Sequence, residues 1–289
     1  MDQIADRVRR HSPFSRTPMT PQISSCIPPN FIIAEYIDPS TRERMTFRLA
    51  ENSRDLKLAR ELVYQMYARK GYPTDRILPE NPRYWTLLLT NALGTPIGTI
   101  SVGSGHQGLR AEESYPEEIQ AIKENVGSPC EFNALATLPF ALSPFSFARL
   151  FHLAMLLGNK ILGYSSGVIE VTRSHARFYE RILGFVTAGK GRQCTRVGVQ
   201  SVLLTLNLCD SLQRAKAFGG MLQRPPKDHT YYPLMFGQNE TETLLNNFFK
   251  RVIVPEPQPI NRSIDFVQTL QVKEPSVLSQ SEHLPSVLA

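Results

Sequence analysis

A strand that runs directly into a helix and ends on Gly-Phe, within residues 161–185, most constrains how this chain folds. The segment from Ile161 to Val171 is mostly apolar and becomes β-branched, which predicts a strand buried on both faces. Gly184 stands where a helix C-cap is expected, and Phe185 begins another strand. Four residues before that glycine recur at the spacing of one helix face: Ala176, Tyr179, Ile182 and Leu183. The order predicts an α/β domain in which a helix presents Tyr179 close to a strand end.

The two ends of the chain differ in composition from its middle. Residues 1–44 and 254–289 are rich in proline, serine and threonine and show no sustained period. Because such segments bury too little apolar surface to order themselves, we expect a flexible N-terminal segment over 1–44 and a disordered tail over 254–289. The main domain is expected over 45–210, which is long enough for one well-buried core. A helical extension is expected over 211–253.

The charge and cysteine content exclude several classes of protein. The formal net charge of +6 is spread along the chain without a basic stripe and interleaved aromatic residues, so nucleic acid is not an expected partner. A mild excess of positive charge is suited to binding an acidic protein or a phosphorylated cofactor. The alternative is that these charges belong to ordinary solvated surface. The 4 cysteines lack metal-site spacing and are expected as free thiols in the cytoplasm. No run approaches the roughly 18 apolar residues of a membrane span.

Apolar patterns predict the remaining helices and strands. The expected elements are a strand over 46–50, a helix ended by Gly71, strands over 84–90 and 95–102, a helix from Pro116, a strand over 130–138, a helix over 145–159, a strand over 199–208, and helices over 212–221 and 239–252. The last helix has an apolar face that needs a partner. We expect it to pack on its own domain, and a homodimer contact through 240–252 is the alternative.

Several short motifs occur in an order that resembles a known enzyme family. They are Phe47-Arg-Leu-Ala50, Leu62-Val-Tyr-x-x-Tyr67 with Gly71-Tyr72, Pro79-Glu-Asn81, Gly98-Thr-Ile100, Glu131-Phe-Asn-Ala-Leu-Ala136 and Phe178-Tyr-Glu-Arg-x-Leu-Gly-Phe185. The last motif is the local pattern of the GNAT acyltransferases. The whole set is similar to the N-acyl amino acid synthases, which are related to the acyl-homoserine-lactone synthases and to exosortase-associated acyltransferases. The resemblance covers about residues 45–208 and implies a GNAT-like α/β fold, with a mixed central sheet flanked by helices.

The resemblance also implies a reaction. Such enzymes move a long acyl chain from a thioester, typically on acyl carrier protein, to the amino group of an amino acid, without a permanently bound cofactor. CoA-dependent enzymes of this fold cradle the pyrophosphate with a glycine-containing loop at the start of the third helix. Residues 138–149 contain no glycine, so acyl-CoA is the less favoured donor. Phe140 and Phe145 are candidates to contact the pantetheine arm or acyl chain, with core packing as the alternative.

Two residues are candidates for the acid–base chemistry of thioester aminolysis. Glu131 is the candidate base, because it is the charged residue of an otherwise uncharged strand and the lactone synthases also carry glutamate there. Tyr179 is the candidate acid for the leaving thiolate. The structural alternatives are an exposed edge residue for Glu131 and a half-buried packing residue for Tyr179. The related Glu-x-x-Arg pattern would place arginine at position 134, where this chain has Ala134, so the lactone synthases' substrate contacts are not carried over.

Substrate-holding groups are assigned by position and by charge. The family fold exposes a backbone N–H at a bulge, where it can face the thioester oxygen. By position this donor belongs to one of three residues, Leu135, Ala136 or Thr137. An arginine fork is the natural partner of the acceptor carboxylate. The options for it are Arg48, Arg83 and Arg173.

Three basic residues that follow the helix ended by Gly184 are candidates for docking an acidic carrier protein: Lys190, Arg192 and Arg196. Ordinary surface charge is the alternative for this cluster, and no metal site is expected. Three other functions stay open. An acyl-homoserine-lactone-type synthase is disfavoured by Ala134, and a CoA-dependent N-acetyltransferase by the glycine-free segment over 138–149. The third is a non-catalytic acyl-binding or interaction module.

Overall fold

A computed structural model describes residues 31–73, 84–105, 108–222 and 230–251. The strands in these ranges are β1 (Ile32–Ile37), β2 (Arg44–Leu49), β3 (Tyr84–Thr90), β4 (Pro96–Gly103), β5 (Cys130–Thr137), β6 (Ser166–Thr172), β7 (Val186–Thr187), β8 (Arg192–Gln193) and β9 (Gln200–Asn207). The α-helices are α1 (Ser53–Arg69), α2 (Pro116–Val126), α3 (Pro144–Leu156), α4 (Arg173–Leu183), α5 (Leu208–Phe218) and α6 (Gln238–Arg251). Within these ranges, no helix is long and apolar enough to cross a membrane.

The strands form one mixed sheet, as the sequence predicts. Their order is β1-β2-β3-β4-β5-β6-β9-β7, and β8 also pairs with β9. Neighbouring strands are antiparallel except β5 and β6, which are parallel. A parallel pair needs a crossover connection, and α3 supplies it between these two strands. This one parallel pair lies near the middle of the sheet and is the part of the fold that forms the site.

Helices cover both faces of the sheet, because alternate side chains of a strand point in opposite directions. On one face, Leu88 of β3 packs with Ala59 of α1, and Val168 of β6 packs with Ile119 of α2. Leu87 points the other way, into the main core with residues of α3, α4, α5 and α6. The α1/α2 face and the α3–α6 face are therefore distinct layers on either side of the sheet.

The strand–helix–glycine run is confirmed, with a later start than predicted. β6 begins at Ser166 rather than at Ile161, because Leu157–Ile161 continues α3 as a π-helical turn. α4 follows β6 directly and ends at Gly184, whose φ of 78° is a left-handed conformation that glycine adopts readily. The buried residues of α4 are the four that the spacing predicts.

The expectation of a flexible segment over 1–44 is wrong for its last part. Strand β1 pairs antiparallel with β2 and forms the edge of the sheet. The turn between these strands is held by Asp38, whose Oδ1 accepts the backbone N–H of Ser40 at 2.8 Å and of Thr41 at 3.2 Å. Proline is common in tight turns, and Pro39 lies in this one rather than in a strand. Residues 1–30 and 254–289 lie outside the described residues.

Helix α6 packs on its own domain, as expected. Leu244 and Phe248 are buried, and the Phe248 ring meets the Phe31 ring edge-on at 5.6 Å. The start of α6 is fixed by Glu240, whose carboxylate lies 3.1 Å from the Arg149 guanidinium. Three rings surround that guanidinium at 4.2 to 4.9 Å, those of Tyr36, Phe145 and Phe236. Because Leu244 and Phe248 are buried in their own domain, they are not available to the alternative homodimer contact through 240–252. The side chains of Phe249 and Val252 lie outside the described residues.

Candidate active site

Strands β5 and β6 diverge shortly after they begin. The register pairs Cys130 with Gly167 and Glu131 with Val168, and the strands separate beyond that point. β5 bends there because it carries one extra residue between Asn133, opposite Ser101, and Ala136, opposite Thr99. Ala134 adopts a φ of 49° in this bulge. The bulge expected near Leu135 to Thr137 thus lies at Ala134 and Leu135, and it opens a wedge in the middle of the sheet.

A cavity lies in this wedge on the α1/α2 face. Its walls come from α1, from the segment before α2, from both diverging strands and from the loop that precedes β9. The charged groups that line it are Arg110, Glu131, Glu170 and Arg196, and its aromatic groups include Tyr67 and Tyr72. Acidic and basic side chains thus share one enclosed surface. Within the described part of the chain, no group of three or more His, Cys, Asp or Glu side chains is arranged to hold a metal ion.

Glu131 is buried in the cavity wall and held by three donors. Oε2 accepts the backbone N–H of Arg110 at 2.8 Å and the Tyr84 hydroxyl at 3.3 Å, and Oε1 accepts the backbone N–H of Ala111 at 3.1 Å. Burial raises the pKa of the Glu131 carboxyl above its ordinary value, although these donors and the charges of Arg110 and Arg196 oppose the rise. Because Glu131 is only 1% exposed, the alternative of an exposed edge residue is excluded.

Gly103 of β4 makes room for the Tyr84 ring beside Glu131. It lies opposite Tyr84 on one neighbouring strand and opposite Glu131 on the other. A Cβ atom at position 103 would lie 2.3 Å from Cε1 of Tyr84, far inside the contact distance of two carbon atoms. Any other residue at this position would therefore push the ring away from the carboxylate.

The cavity also contains two arginines that sequence reasoning did not assign to the acceptor site. Arg196 donates to the Arg110 carbonyl at 2.6 Å and pairs with the Glu170 carboxylate, which also accepts the Ser201 hydroxyl at 2.7 Å. Arg110 lines the cavity, and its charge acts on Tyr67 and Tyr84 as well as on Glu131. No motif marks either arginine: Arg110 begins a short 3-10 helix, Arg196 lies in the turn before β9, and only the tertiary structure brings them together.

A second depression, the aromatic groove, lies on the α3–α6 face. It extends from Thr137 and Leu138, at the end of β5, to the start of α3 at Ser143 and Pro144. Three aromatic rings line its far wall with centroids 5.7 to 6.2 Å apart: Phe147, Phe178 and Tyr231. Phe140 also lines this groove and is 78% exposed, with a φ of 62°. The groove and the cavity thus meet β5 on opposite sides of its bulge.

The start of α3 is closed by a buried carboxylate. Asp38 Oδ2 accepts the hydroxyls of Ser143 and Ser146, and the Ser143 hydroxyl in turn accepts the Ser146 backbone N–H at 3.0 Å. Burial raises the pKa of Asp38, but the hydrogen bonds from Ser143, Ser146 and the turn bring it below its usual value. Pro144 occupies the first turn and has no N–H to offer. Neither Pro144 nor Ser146 therefore offers a free backbone N–H to an anion at this helix end.

Tyr179 is fully buried in the main core and is not among the residues that line the cavity. Its ring contacts three phenylalanine rings at 5.4 to 6.1 Å, those of Phe151, Phe178 and Phe185. Its hydroxyl has no hydrogen-bond partner among the described residues. Burial raises the pKa of Tyr179 above its ordinary value, and Tyr67 adds to the rise. The phenol therefore stays protonated at neutral pH, and burial makes it a weaker acid than an ordinary tyrosine.

The arginines predicted to bind the acceptor carboxylate are not found in the cavity. Arg48 is held by Asp55 at 3.8 Å, and its guanidinium is not part of the cavity lining. Arg173 lies exposed at the start of α4, and Arg83 lies outside the described residues. Phe145 is also corrected: it packs on Arg149 in the core, with the guanidinium 4.2 Å from its ring centroid, rather than lining the groove.

The predicted basic docking cluster is corrected as well. Arg196 is largely buried by the contacts described above. Arg192 lies 2.8 Å from the Glu118 carboxylate and 3.4 Å from that of Glu117, so its charge is compensated within the domain. Lys190 alone of the three is exposed without such a contact in the described part of the chain. The sequence did not indicate that acidic side chains of α2 lie beside these basic residues.

Comparison with known proteins identifies relatives of this chain. The family model of the N-acyl amino acid synthase FeeM matches residues 58–207, which is more than half of the chain. The structure of FeeM, an N-acyl amino acid synthase from uncultured soil microbes, has 26% sequence identity and a TM-score of 0.52, and the match covers 59% of this chain and 94% of that one.

Two further structures match at lower similarity. The acyl-homoserine-lactone synthase LasI has 14% identity and a TM-score of 0.43, with 57% of this chain and 91% of that one covered. An acyl-CoA N-acyltransferase from Pseudomonas aeruginosa has 10% identity and a TM-score of 0.43, with 56% and 98% covered. A search among curated proteins gave no match. From the family match and the GNAT-like fold, the chain belongs to the FeeM family of N-acyl amino acid synthases and is an acyltransferase.

Proposed function

We propose that this enzyme transfers a long-chain acyl group from an acyl carrier protein thioester to the amino group of an amino acid. The observation that carries the proposal is the charged cavity between β5 and β6. An amino acid brings a cationic and an anionic group, and the cavity offers acidic and basic side chains on one enclosed surface. In this arrangement Glu131 receives the amine, and Arg110 holds the carboxylate.

Glu131 has the environment of a general base. Its raised pKa brings it closer to neutral pH, where a base removes a proton from an ammonium group most efficiently. Oε2 accepts two of the three bonds, so Oε1, which accepts one, is the atom that takes the proton. Three donors on one carboxylate also fix its orientation, as precise proton transfer requires.

The bulge and Tyr179 complete the proposed reaction. Near the bulge, a backbone N–H of Leu135, Ala136 or Thr137 stabilises the oxyanion that forms when the amine attacks the thioester. The proton for the departing thiolate comes from Tyr179, whose buried hydroxyl lacks a partner among the described residues. Leaving such a group unpaired costs about 1 to 3 kcal/mol. A buried hydroxyl that bears this cost without a structural partner is a candidate for a functional role.

The start of α3 supports a carrier-protein donor over CoA. A free helix N-terminus attracts phosphate through its backbone N–H groups. Here Pro144 lacks that group, the Ser146 N–H is occupied, and the Asp38 carboxylate adds a negative charge beside the groove. A CoA diphosphate at this end of the groove would be repelled. The free thiols of Cys130, Cys194 and Cys209 are consistent with a cytoplasmic setting for the reaction.

Acyl transfer with purified components tests this function. The protein is incubated with long-chain acyl carrier protein and a mixture of the common amino acids, and the products are identified by mass spectrometry. The expected product is an N-acyl amino acid that forms in proportion to enzyme and is absent with boiled protein. If no acylated amino acid appears with carrier-protein, pantetheine or CoA thioesters, the proposal is wrong.

A further inference from the structure

The outer side of α4 carries three exposed arginines in a row. Arg173, Arg177 and Arg181 are spaced four residues apart, so they follow one another along one face of the helix over about 12 Å. None of the three pairs with an acidic side chain in the part of the chain that the structure describes. This α4 arginine face therefore differs from Arg192 and Arg196, whose charges are compensated within the domain.

The α4 arginine face borders the aromatic groove. Phe178, the residue after Arg177, is part of the groove wall. At one end of the helix, the charge of Arg181 acts on Tyr231, which also lines the groove. At the other end, the charge of Lys70 acts on His175, so the C-terminus of α1 extends the basic surface. A partner bound to this face would stand at the mouth of the groove.

We propose that the α4 arginine face is the docking surface for an acidic acyl carrier protein, which delivers its thioester arm into the aromatic groove. The proposal rests on the carrier-protein donor proposed above and assigns the surface that recognises it. Uncompensated arginines attract an acidic helix and steer its approach, and they form bidentate contacts with carboxylates. The core of the partner stays outside, while its flexible arm passes Phe178 toward the wedge between β5 and β6.

A charge-reversal variant tests the docking surface. The triple variant Arg173→Glu, Arg177→Glu and Arg181→Glu is compared with Arg44→Glu, Arg54→Glu and Lys216→Glu, which changes the net charge equally at exposed positions on other elements. Binding of long-chain acyl carrier protein is measured by fluorescence anisotropy, and turnover is measured with acyl carrier protein and with acyl-pantetheine. A thermal melt of each variant checks that it is folded.

The α4 variant is expected to bind acyl carrier protein at least about tenfold more weakly, with a correspondingly higher KM, while kcat/KM for acyl-pantetheine changes less than about twofold. The binding of the wild type should weaken as salt is raised, and that of the α4 variant should respond less. Equal losses in the two triple variants, or equal losses with both donors, would overturn the docking surface. The binding measurement decides this point even where turnover is absent, and absent turnover with every thioester refutes the proposed function instead.

Discussion

The backbone N–H of Arg110 donates to Oε2 of Glu131 at 2.8 Å across 21 residues of sequence. One contact thus links the segment before α2 to the strand at the centre of the site. It fixes the carboxylate of the proposed base and also places the Arg110 side chain in the same cavity. The proposed base and the proposed acceptor-binding cation are therefore positioned by a single local arrangement.

Replacing Glu131 by glutamine should remove the base and leave the cavity closely similar in shape. We expect kcat to fall by about 100-fold to 10,000-fold, the range that general acid–base groups contribute. The matched control is Glu124→Gln on the exposed side of α2, which should be indistinguishable from wild type. Steady-state kinetics and a thermal melt measure both variants. A folded Glu131→Gln enzyme with more than about one tenth of wild-type kcat would contradict the assignment.

The pH dependence of kcat/KM should show the raised pKa of Glu131. A base must be deprotonated to act, so activity is expected to rise with pH through the pKa of Glu131. Because burial raises this pKa, the rise should lie at higher pH than the value of about 4.3 for an ordinary glutamate. The profile is recorded from pH 4 to pH 9 at constant ionic strength. If the acidic limb of the profile is unchanged in Glu131→Gln, the titrating group is not Glu131.

Gly103→Ala should disturb Glu131 indirectly, through Tyr84. The new Cβ would occupy the position of the Tyr84 ring, so the hydroxyl should lose its bond to the carboxylate. Since that bond lowers the pKa of Glu131, its loss should move the acidic limb of the pH profile to higher pH. In the control Gly98→Ala on the same strand, the Cβ meets side-chain atoms of Leu150, Leu142 and Leu89 at 3.3 to 3.7 Å, none of them close enough to force a large shift. A similar shift in both variants would show a general effect of strand substitution.

Tyr179→Phe should separate catalysis from stability. Removing an unpaired buried hydroxyl relieves its desolvation cost, so the free energy of unfolding should stay constant or rise by up to about 1 kcal/mol. If Tyr179 is the acid, kcat should nevertheless fall by roughly 100-fold. Tyr164→Phe is the control, because the Tyr164 hydroxyl bonds Ser104 at 2.6 Å and its loss should destabilise the fold. Undiminished activity in Tyr179→Phe would leave the residue a packing role only.

Asp38→Asn should change the preference between donors. The amide keeps the shape of the carboxylate and can donate to Ser143 and Ser146, but it carries no charge. We expect kcat/KM for acyl-CoA to rise about threefold to tenfold, and that for uncharged acyl-pantetheine to stay constant, because only the charged donor is repelled. Calorimetric titration with CoA gives a second readout. Equal effects on both donors would indicate that Asp38 only stabilises the turn and the start of α3.

The sequence alone was sufficient for most of the elements and for the family. Hydrophobic spacing located α4 and its glycine cap, since these depend on local geometry and on the conformational freedom of Gly184. It also placed Glu131 on a central strand, and the order of the short motifs by itself pointed to the synthases. Local rules failed at β1, because a turn around Pro39 resembles the composition of an unstructured segment.

The tertiary structure decided which side chains meet. Arg110 and Arg196 come from segments without a motif, and they line the same cavity as Glu131 where β5 bends away from β6 at Ala134. The same folding paired Arg192 with α2 and left the arginines of α4 uncompensated within the described residues. Charge pairing and burial depend on neighbours that are distant in sequence, so spacing along the chain cannot specify them. The sequence therefore determined the type of enzyme and the strand that carries its proposed base, and the packed structure determined the walls of the site.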